Sequence, residues 1–363
     1  MDVLTLGLVG LGGFGQFLLR VLQNVPGISV VAVADSSLAD NSRFSGFPVY
    51  KNWEAMVAER DIEALCIATP PSTHVDIAIS AMKKGLHVFI EKPLATNPDH
   101  AKHIIQVAEE TDRIAMVNFM QRKNPVLSSI KDIYQEGLLG EFNYFTIQND
   151  AQDESLISDH WFWDSRISGG ILIEHAVHFI DIVHWFTGNS AIKHLTGWQE
   201  LRDTGLRDRM GLTAQYENGC IINHYHSFSR PQFFEKTVLT LAFSLAEFKL
   251  YGWIPESGSF SILGLESMAD TLNEYPLLSI EHVKDVPNVP VRGVRYGYER
   301  RFSGTIKALQ SKDILYTNAV ADMFIDFHKA VAQADYKPVV DARDGLNALN
   351  VAYFATKYAE SKA

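Results

Sequence analysis

Gly7–Leu22 reads GLVGLGGFGQFLLRVL. Gly10, Gly12 and Gly15 stand in the spacing G-x-G-x-x-G, after an apolar β-rich run and at the mouth of an amphipathic stretch. Glycine permits a tight strand-to-helix turn. It also lets backbone N–H groups and a helix N-terminus approach a pyrophosphate, whose negative charge the helix dipole favours. A triplet alone is weak evidence in a chain with 24 glycines, where an ordinary turn explains it as well. Asp35 strengthens the reading: it ends the next β-rich run, twenty residues beyond Gly15, where a carboxylate can accept hydrogen bonds from an adenosine ribose. Gly10, Gly12, Gly13, Phe14 and Gly15 are therefore expected to cradle the phosphates, with Asp35 and Ser36 at the ribose. Asp35 would repel a 2′-phosphate, and Ser36 and Ser37 follow it rather than arginine, so NAD is expected in preference to NADP.

Outward from this loop, β-rich runs alternate with amphipathic helical stretches as far as Phe119. The strands are VLTLGLVG, ISVVAVAD, ALCIAT, HVFIE and RIAMVNF; helices start near Phe14, Trp53, Thr73 and Pro98, the last with Asn97 as N-cap. That rhythm predicts an α/β doubly wound parallel sheet, a Rossmann domain over residues 1–122. A helix over Val126–Gln135 and a strand FNYFTIQND follow, and beyond Gly197 the pattern becomes antiparallel: MGLTAQYENGCIINHYHSFS folds at a hairpin-like ENG, and TVLTLAFSLAEFKLYGW continues it. Residues 123–363 are thus expected to form an α+β domain with a large, mostly antiparallel sheet, for substrate binding and oligomerisation. Val283–Gly293, with three prolines, reads as a loop, and the helix beginning at Ala342 can pack back on the first domain.

At 363 residues, 47% hydrophobic and 21% charged, the chain has apolar material for two cores. A net charge of -11 argues against nucleic acid and anionic membranes as partners, and points to a small ligand. Cys66 and Cys220 are too few for a disulfide framework and fit no zinc spacing. They read as core thiols of a reducing compartment. MDVLTLGLVG lacks the basic start of a signal peptide and no apolar run has membrane-spanning length, so a cytoplasmic location is expected.

Two further stretches carry chemistry. HVFIEKPLATN places Lys92 just beyond the carboxyl end of a strand, the edge at which open α/β sheets bind ligands. Composition alone would make it a surface lysine; its position suits a cation that stabilises a developing alkoxide. Pro93 fixes the turn, and a cis Lys92–Pro93 bond is compatible with it. SGGILIEHAVHFIDIVHWFTGN, Ser168–Asn189, reads as one apolar helix into which Glu174, His175, His178, Asp181 and His184 are threaded. Helical geometry puts Glu174, His178 and Asp181 on one face. Three readings compete: a buried hydrogen-bonded network, a metal site built on His175, His178 and Glu174, and acid–base catalysis. No further ligand cluster completes a metal site, and none is expected. For His184, His194, His224 and His226 the structural reading stands.

In order along the chain, GLGGFG, Asp35, ATPPSTH (Ala68–His74), EKP (Glu91–Pro93), QRKNP (Gln121–Pro125) and GGILIEHAVHFID (Gly169–Asp181) resemble the Gfo/Idh/MocA oxidoreductase family, which includes glucose–fructose oxidoreductase and inositol dehydrogenases. The resemblance covers the chain to about Gly188. It implies that Lys92 sits at the nicotinamide and that Thr69, Pro70, His74 and Glu91 border the cofactor. The family's carboxylate and, four residues on, its histidine fall on Glu174 and His178; aspartate is usual at the first, and glutamate is one methylene longer. His178 would exchange the hydroxyl proton, Lys92 would bind the same oxygen, and Glu174 would orient the substrate or raise the basicity of His178. Arg122, Asp150, Trp163 and His175 would line a pocket for a sugar, sugar derivative or cyclitol. The implied function is an NAD-dependent dehydrogenase acting on a secondary alcohol, and the implied assembly a homo-oligomer, dimer or tetramer. Two alternatives use the same site: an NAD-assisted glycoside hydrolase or lyase that oxidises its substrate transiently, and a non-catalytic dinucleotide sensor.

Overall fold

Short runs rich in Val, Ile and Leu become strands wherever glycine, proline or a capping asparagine bounds them. A computed structural model describes residues 2–37, 44, 46–152, 156–290 and 293–362. In chain order it has β1 (Leu4–Val9), α1 (Gly13–Leu22), β2 (Ile28–Ala34), a two-residue β3 (Val49–Tyr50), α2 (Trp53–Glu59), β4 (Ala64–Ile67), α3 (His74–Lys83), β5 (His87–Ile90), α4 (Pro98–Thr111) and β6 (Ala115–Val117). Next come α5 (Pro125–Gln135), β7 (Phe142–Asp150), α6 (Ser165–Ser168) and α7 (Val177–Thr187). Strands β8 (Ile192–Leu201), β9 (Arg207–Tyr216), β10 (Ile221–Ser227), β11 (Lys236–Phe243), β12 (Ala246–Tyr251) and β13 (Ser257–Gly264) follow. Then come α8 (Met268–Asn273), β14 (Leu278–Asp285), β15 (Arg300–Lys307), α9 (Lys312–Ala332) and α10 (Ala342–Glu360). Asn97 caps α4 as expected, its side chain accepting the His100 N–H at 3.0 Å.

These elements form two units, residues 1–120 with 158–181 and 317–353, and residues 121–157 with 182–316 and 354–363. In the first, the sheet order is β3-β2-β1-β4-β5-β6, every pair parallel. This is the doubly wound order expected from the sequence, with its reversal between β1 and β4. Leu6, Leu8, Leu65, Cys66, Val88 and Phe89 are fully buried in the sheet. Phe89 stacks on Phe324 of α9 at 4.1 Å and meets Phe327 edge-on at 5.6 Å. A Cβ on Gly345 of α10 would lie 2.9 Å from Leu94, so glycine permits that close approach. Cys66 and Cys220 are both buried and unpaired, as core thiols should be.

The second unit is a nine-stranded sheet, β14-β15-β13-β12-β11-β7-β10-β9-β8, antiparallel except where β7 lies parallel to β10. ENG makes the expected hairpin between β9 and β10, with Gly219 at φ +87. Phe145, Ile147, Ile222, Leu239, Leu241 and Phe248 bury one face. On the other, the paired rows leave Tyr144, Trp198, Ile221 and Tyr251 exposed.

Two sequence expectations change. Val283–Gly293 is not wholly a loop: β14 runs to Asp285, because residues 283–285 continue the ladder with Phe302, Arg301 and Arg300. Nor is Ser168–Asn189 one helix. α6 stops at Ser168, Gly169 (φ +83) and Gly170 (φ +92) occupy the left-handed region, and a π-turn over Leu172–Ala176 precedes α7.

Candidate active site

The glycine loop divides into residues the fold requires and residues it leaves open. Gly10 takes φ +99, and a Cβ there would lie 2.5 Å from the Ala68 carbonyl oxygen; one on Gly15 would lie 2.0 Å from the Gly10 carbonyl oxygen. These two close the strand–helix turn. A Cβ on Gly12 or Gly13 would meet nothing within 4 Å, so neighbouring protein atoms do not account for glycine there. α1 begins at Gly13 with no side-chain cap and no acidic residue in its first turn, which leaves its N–H groups and positive dipole end suited to an anion. Phe14 stands beside Phe17, ring centres 5.5 Å apart. Open space where a Cβ would point, together with an uncapped helix end, fits a dinucleotide pyrophosphate.

Asp35 lies against the same loop. Its Oδ2 accepts the Leu11 N–H at 2.6 Å, and its Oδ1 accepts the backbone N–H and hydroxyl of Ser37 at 2.8 and 2.7 Å. Ser37, itself exposed like Ser36, is thus one side-chain neighbour of Asp35. The Asp35 carboxylate, accepting the backbone N–H two residues on, forms an Asx-type turn.

At the carboxyl edge of β4, the Thr73 hydroxyl lies 2.9 Å from the Pro70 carbonyl oxygen, to which it can donate, and 2.7 Å from the Thr69 hydroxyl, from which it can then accept. His74, fully buried, has Nε2 at 2.9 Å from the Thr69 carbonyl oxygen and Nδ1 at 2.9 Å from that of Pro93. Beyond β5, the Lys92–Pro93 bond is cis. Glu91 is buried and its Oε1 accepts Asn118 Nδ2 at 2.7 Å. Burial pushes the Glu91 carboxyl up to about 7, although Asn118 and the Lys92 charge pull it down.

Lys92 meets the π-turn. Its Nζ donates to the Glu174 backbone carbonyl at 2.9 Å and to the Glu174 carboxylate, with both side chains largely shielded from solvent. The π-turn hydrogen-bonds one residue further along than an α-turn, and it is this segment that presents the carboxylate and its own carbonyl to one ammonium. Burial lowers His175 to about 3, with the Lys92 charge second. His178, 3% exposed and edge-on to Phe119 at 6.0 Å, is held well below its ordinary value by burial, then Lys92, then His175. Asp181 is fully buried on the same helix.

The first unit thus brings Lys92, Glu174, His175 and His178 into one electrostatic group. Trp163 belongs to the same unit and meets Phe162 edge-on at 5.0 Å, a packing contact. Arg122 and Asp150 belong to the second unit, both buried; Asp150 there pairs with Arg230 at 3.4 Å and Lys236 at 4.0 Å. Of the other histidines, His194 is exposed, His184 lies 3.1 Å from the Tyr216 hydroxyl, and His224 and His226 pair at 3.3 Å. Asn118 and the π-turn are features the sequence did not signal: the first acts across 27 residues, and the second leaves no mark in apolar periodicity. Among the described residues, no group of three or more His, Cys, Asp or Glu is placed to hold a metal ion. No helix of the described residues is long and apolar enough to cross a membrane.

Residues 4–119 match the model of an oxidoreductase family with an NAD-binding Rossmann fold, GFO_IDH_MocA, and residues 127–240 match the GFO/IDH/MocA C-terminal domain. The rhizopine catabolism protein MocA of Rhizobium meliloti is 30% identical over 190 residues, 52% of this chain and 58% of its own. An inositol 2-dehydrogenase of Rubrobacter xylanophilus is 29% identical over 189 residues, 50% of this chain and 52% of its own. The chain spans about half the length of the curated relatives it matches. Levoglucosan dehydrogenase in complex with NADH and levoglucosan shares the fold at TM-score 0.79 and 18% identity, covering 100% of this chain and 98% of that one. The WlbA dehydrogenase from Bordetella pertussis, with NADH and UDP-GlcNAcA, does so at 0.79 and 17%, covering 100% and 97%. With an NAD-binding model and its C-terminal partner matched in order along it, the chain belongs to the GFO/IDH/MocA oxidoreductase family.

Proposed function

We propose that the protein is an NAD-dependent dehydrogenase that moves a hydride between nicotinamide and a secondary alcohol of a sugar, sugar derivative or cyclitol. One observation carries the reading: an ammonium at the carboxyl edge of the parallel sheet, Lys92, lies on Glu174 of the segment that also presents the neutral imidazole of His178.

Gly10, Gly12, Gly13 and the start of α1 would hold the pyrophosphate, Asp35 a ribose, and the loops bearing Thr69 and Glu91 the nicotinamide half. When bound, NAD supplies the ring that takes a hydride from the carbinol carbon. His178 accepts the hydroxyl proton as that C–H bond breaks and the C–O bond becomes a carbonyl; in reduction it returns the proton. An ammonium has three N–H donors; Glu174 takes two from Lys92, and the third holds the reacting oxygen and offsets its developing charge. Glu174 acts chiefly by fixing Lys92, with His175 and Trp163 of the same unit on the substrate side. Two buried thiols and an acidic surface charge support a cytoplasmic enzyme, and the exposed aromatic and aliphatic side chains on one face of the nine-stranded sheet support a homo-oligomer.

The test is purified protein with NAD and a series of sugars and cyclitols. Reduced cofactor should accumulate with at least one, and Lys92→Ala and His178→Ala should each lower kcat by about a hundredfold or more while NAD still binds. Normal turnover in both variants would refute the assignment of these residues. Product formation with no net reduced cofactor would favour the hydrolase or lyase route.

A further inference from the structure

We propose that His74 is a positioning residue for Lys92, acting through the carbonyl oxygen of Pro93. The inference rests on the dehydrogenase reading for its kinetic arm. His74 has no solvent exposure and opens α3 directly after the single turn Pro71–Thr73. Its two ring nitrogens lie 2.9 Å from two carbonyl oxygens, that of Thr69 beyond β4 and that of Pro93 beyond β5. β4 and β5 are adjacent parallel strands, so one ring spans the loops at the carboxyl ends of both. The Thr69 side of the span is fixed independently, by the Thr73 hydroxyl on Thr69 and Pro70. The ring therefore holds the Pro93 side against a stationary anchor.

Pro93 is joined to Lys92 by one peptide unit, and a turn of that unit displaces the lysine Cα and the ammonium at the end of its chain. On the other flank, Asn118 holds the buried Glu91 at 2.7 Å. Glu91–Lys92–Pro93 is gripped at both ends, and Lys92 projects from between the grips to Glu174. A neutral imidazole carries one N–H, so it serves one of the two carbonyls at a time, and only the imidazolium serves both. Burial, aided by the Lys92 charge, lowers the pKa of His74, against the pull of the two carbonyls. The bond that matters for Lys92 is Nδ1–H to Pro93; in that tautomer Nε2 carries no proton, and the ring is held by its burial and by its place at the start of α3.

This separates two variants that a general packing role would treat alike. The side-chain amide of asparagine places its N–H near the position of imidazole Nδ1, and that of glutamine near Nε2. With an alcohol that the wild-type enzyme oxidises, His74→Asn should keep kcat within about threefold, whereas His74→Gln should lose about ten- to a hundredfold, with Kd for NAD changed less than about threefold in both. In a Lys92→Ala background, His74→Gln should cause no further loss of kcat. Equal losses in the two variants, a loss confined to NAD affinity, or full activity in His74→Gln would each overturn the proposal. Crystal structures of both variants serve as the second arm. Lys92 Nζ should leave Glu174 in His74→Gln and remain there in His74→Asn; an unmoved ammonium in both overturns the proposal. If the wild-type protein oxidises no alcohol, the dehydrogenase reading fails, while this structural arm still decides the role of His74.

Discussion

His178 sets the pH range of the proposed reaction. Its ordinary value is 6.5, and burial, then Lys92, then His175, hold it well below that, so the imidazole is already a base at neutral pH. The acid limb of kcat/KM for alcohol oxidation should therefore fall below pH 6.5, and the rate should hold nearly constant as pH drops from 7.5 to 6.5. A limb centred at or above 6.5 would show a different essential group. Stability responds to the same burial with opposite signs in different residues. His175, lowered from 6.5 to about 3, and His87, lowered to about 4, stay neutral in the folded state while the unfolded chain takes protons, so their contribution falls as pH drops below 6.5. Glu91, raised from 4.5 to about 7, keeps a proton that the unfolded chain has lost, so its contribution falls as pH rises across that interval. Glu91→Gln should remove this opposing slope and leave that of the histidines, so that Tm rises more steeply with pH between 4.5 and 6.5 than in the wild type. Glu174→Asp withdraws the carboxylate by one methylene, about 1.5 Å, from Lys92, and kcat should fall about tenfold with Kd for NAD unchanged.

At the scale of elements, the glycine loop makes the sharpest prediction. Gly15→Ala would drive a Cβ to 2.0 Å from the Gly10 carbonyl oxygen and should lower Tm and NAD affinity together. Gly12→Ala meets no protein atom within 4 Å, so Tm should be unchanged while NAD affinity drops, readable by thermal melts beside cofactor titration. The loop, the parallel strands and the Asn97 cap were legible in sequence because each rests on local stereochemistry: a φ only glycine tolerates, a two-residue period, a side chain three residues from the N–H it caps. Less was legible where tertiary contacts decide. No element was expected over 312–332, yet α9 forms there, with Phe324 and Phe327 packed on Phe89. Glu174 and His178 were found by type and spacing, but not the π-turn over Leu172–Ala176, which brings Glu174 to Lys92. That contact, and those of His74 with Pro93 and of Asn118 with Glu91, join residues 82, 19 and 27 apart, beyond what periodicity reports.

At the scale of the whole molecule, the two sheets present different surfaces. The parallel sheet ends in loops that carry Gly12, Asp35, Thr69 and Lys92, and the large sheet exposes Tyr144, Trp198, Ile221 and Tyr251 on one face. If that face joins subunits, light scattering will give a dimer or tetramer, and Trp198→Glu will shift it to smaller species without lowering the secondary-structure signal. A monomeric wild-type protein would remove this part of the account. The central claim is hydride transfer from an alcohol carbon, and the most direct test follows a label. A sugar or cyclitol deuterated at the reacting carbon is incubated with the protein and NAD, and the reduced cofactor is weighed by mass spectrometry. The account predicts one deuterium in the cofactor for each carbonyl formed, abolished in His178→Ala; unlabelled cofactor, or product formed without reduced cofactor, would contradict it.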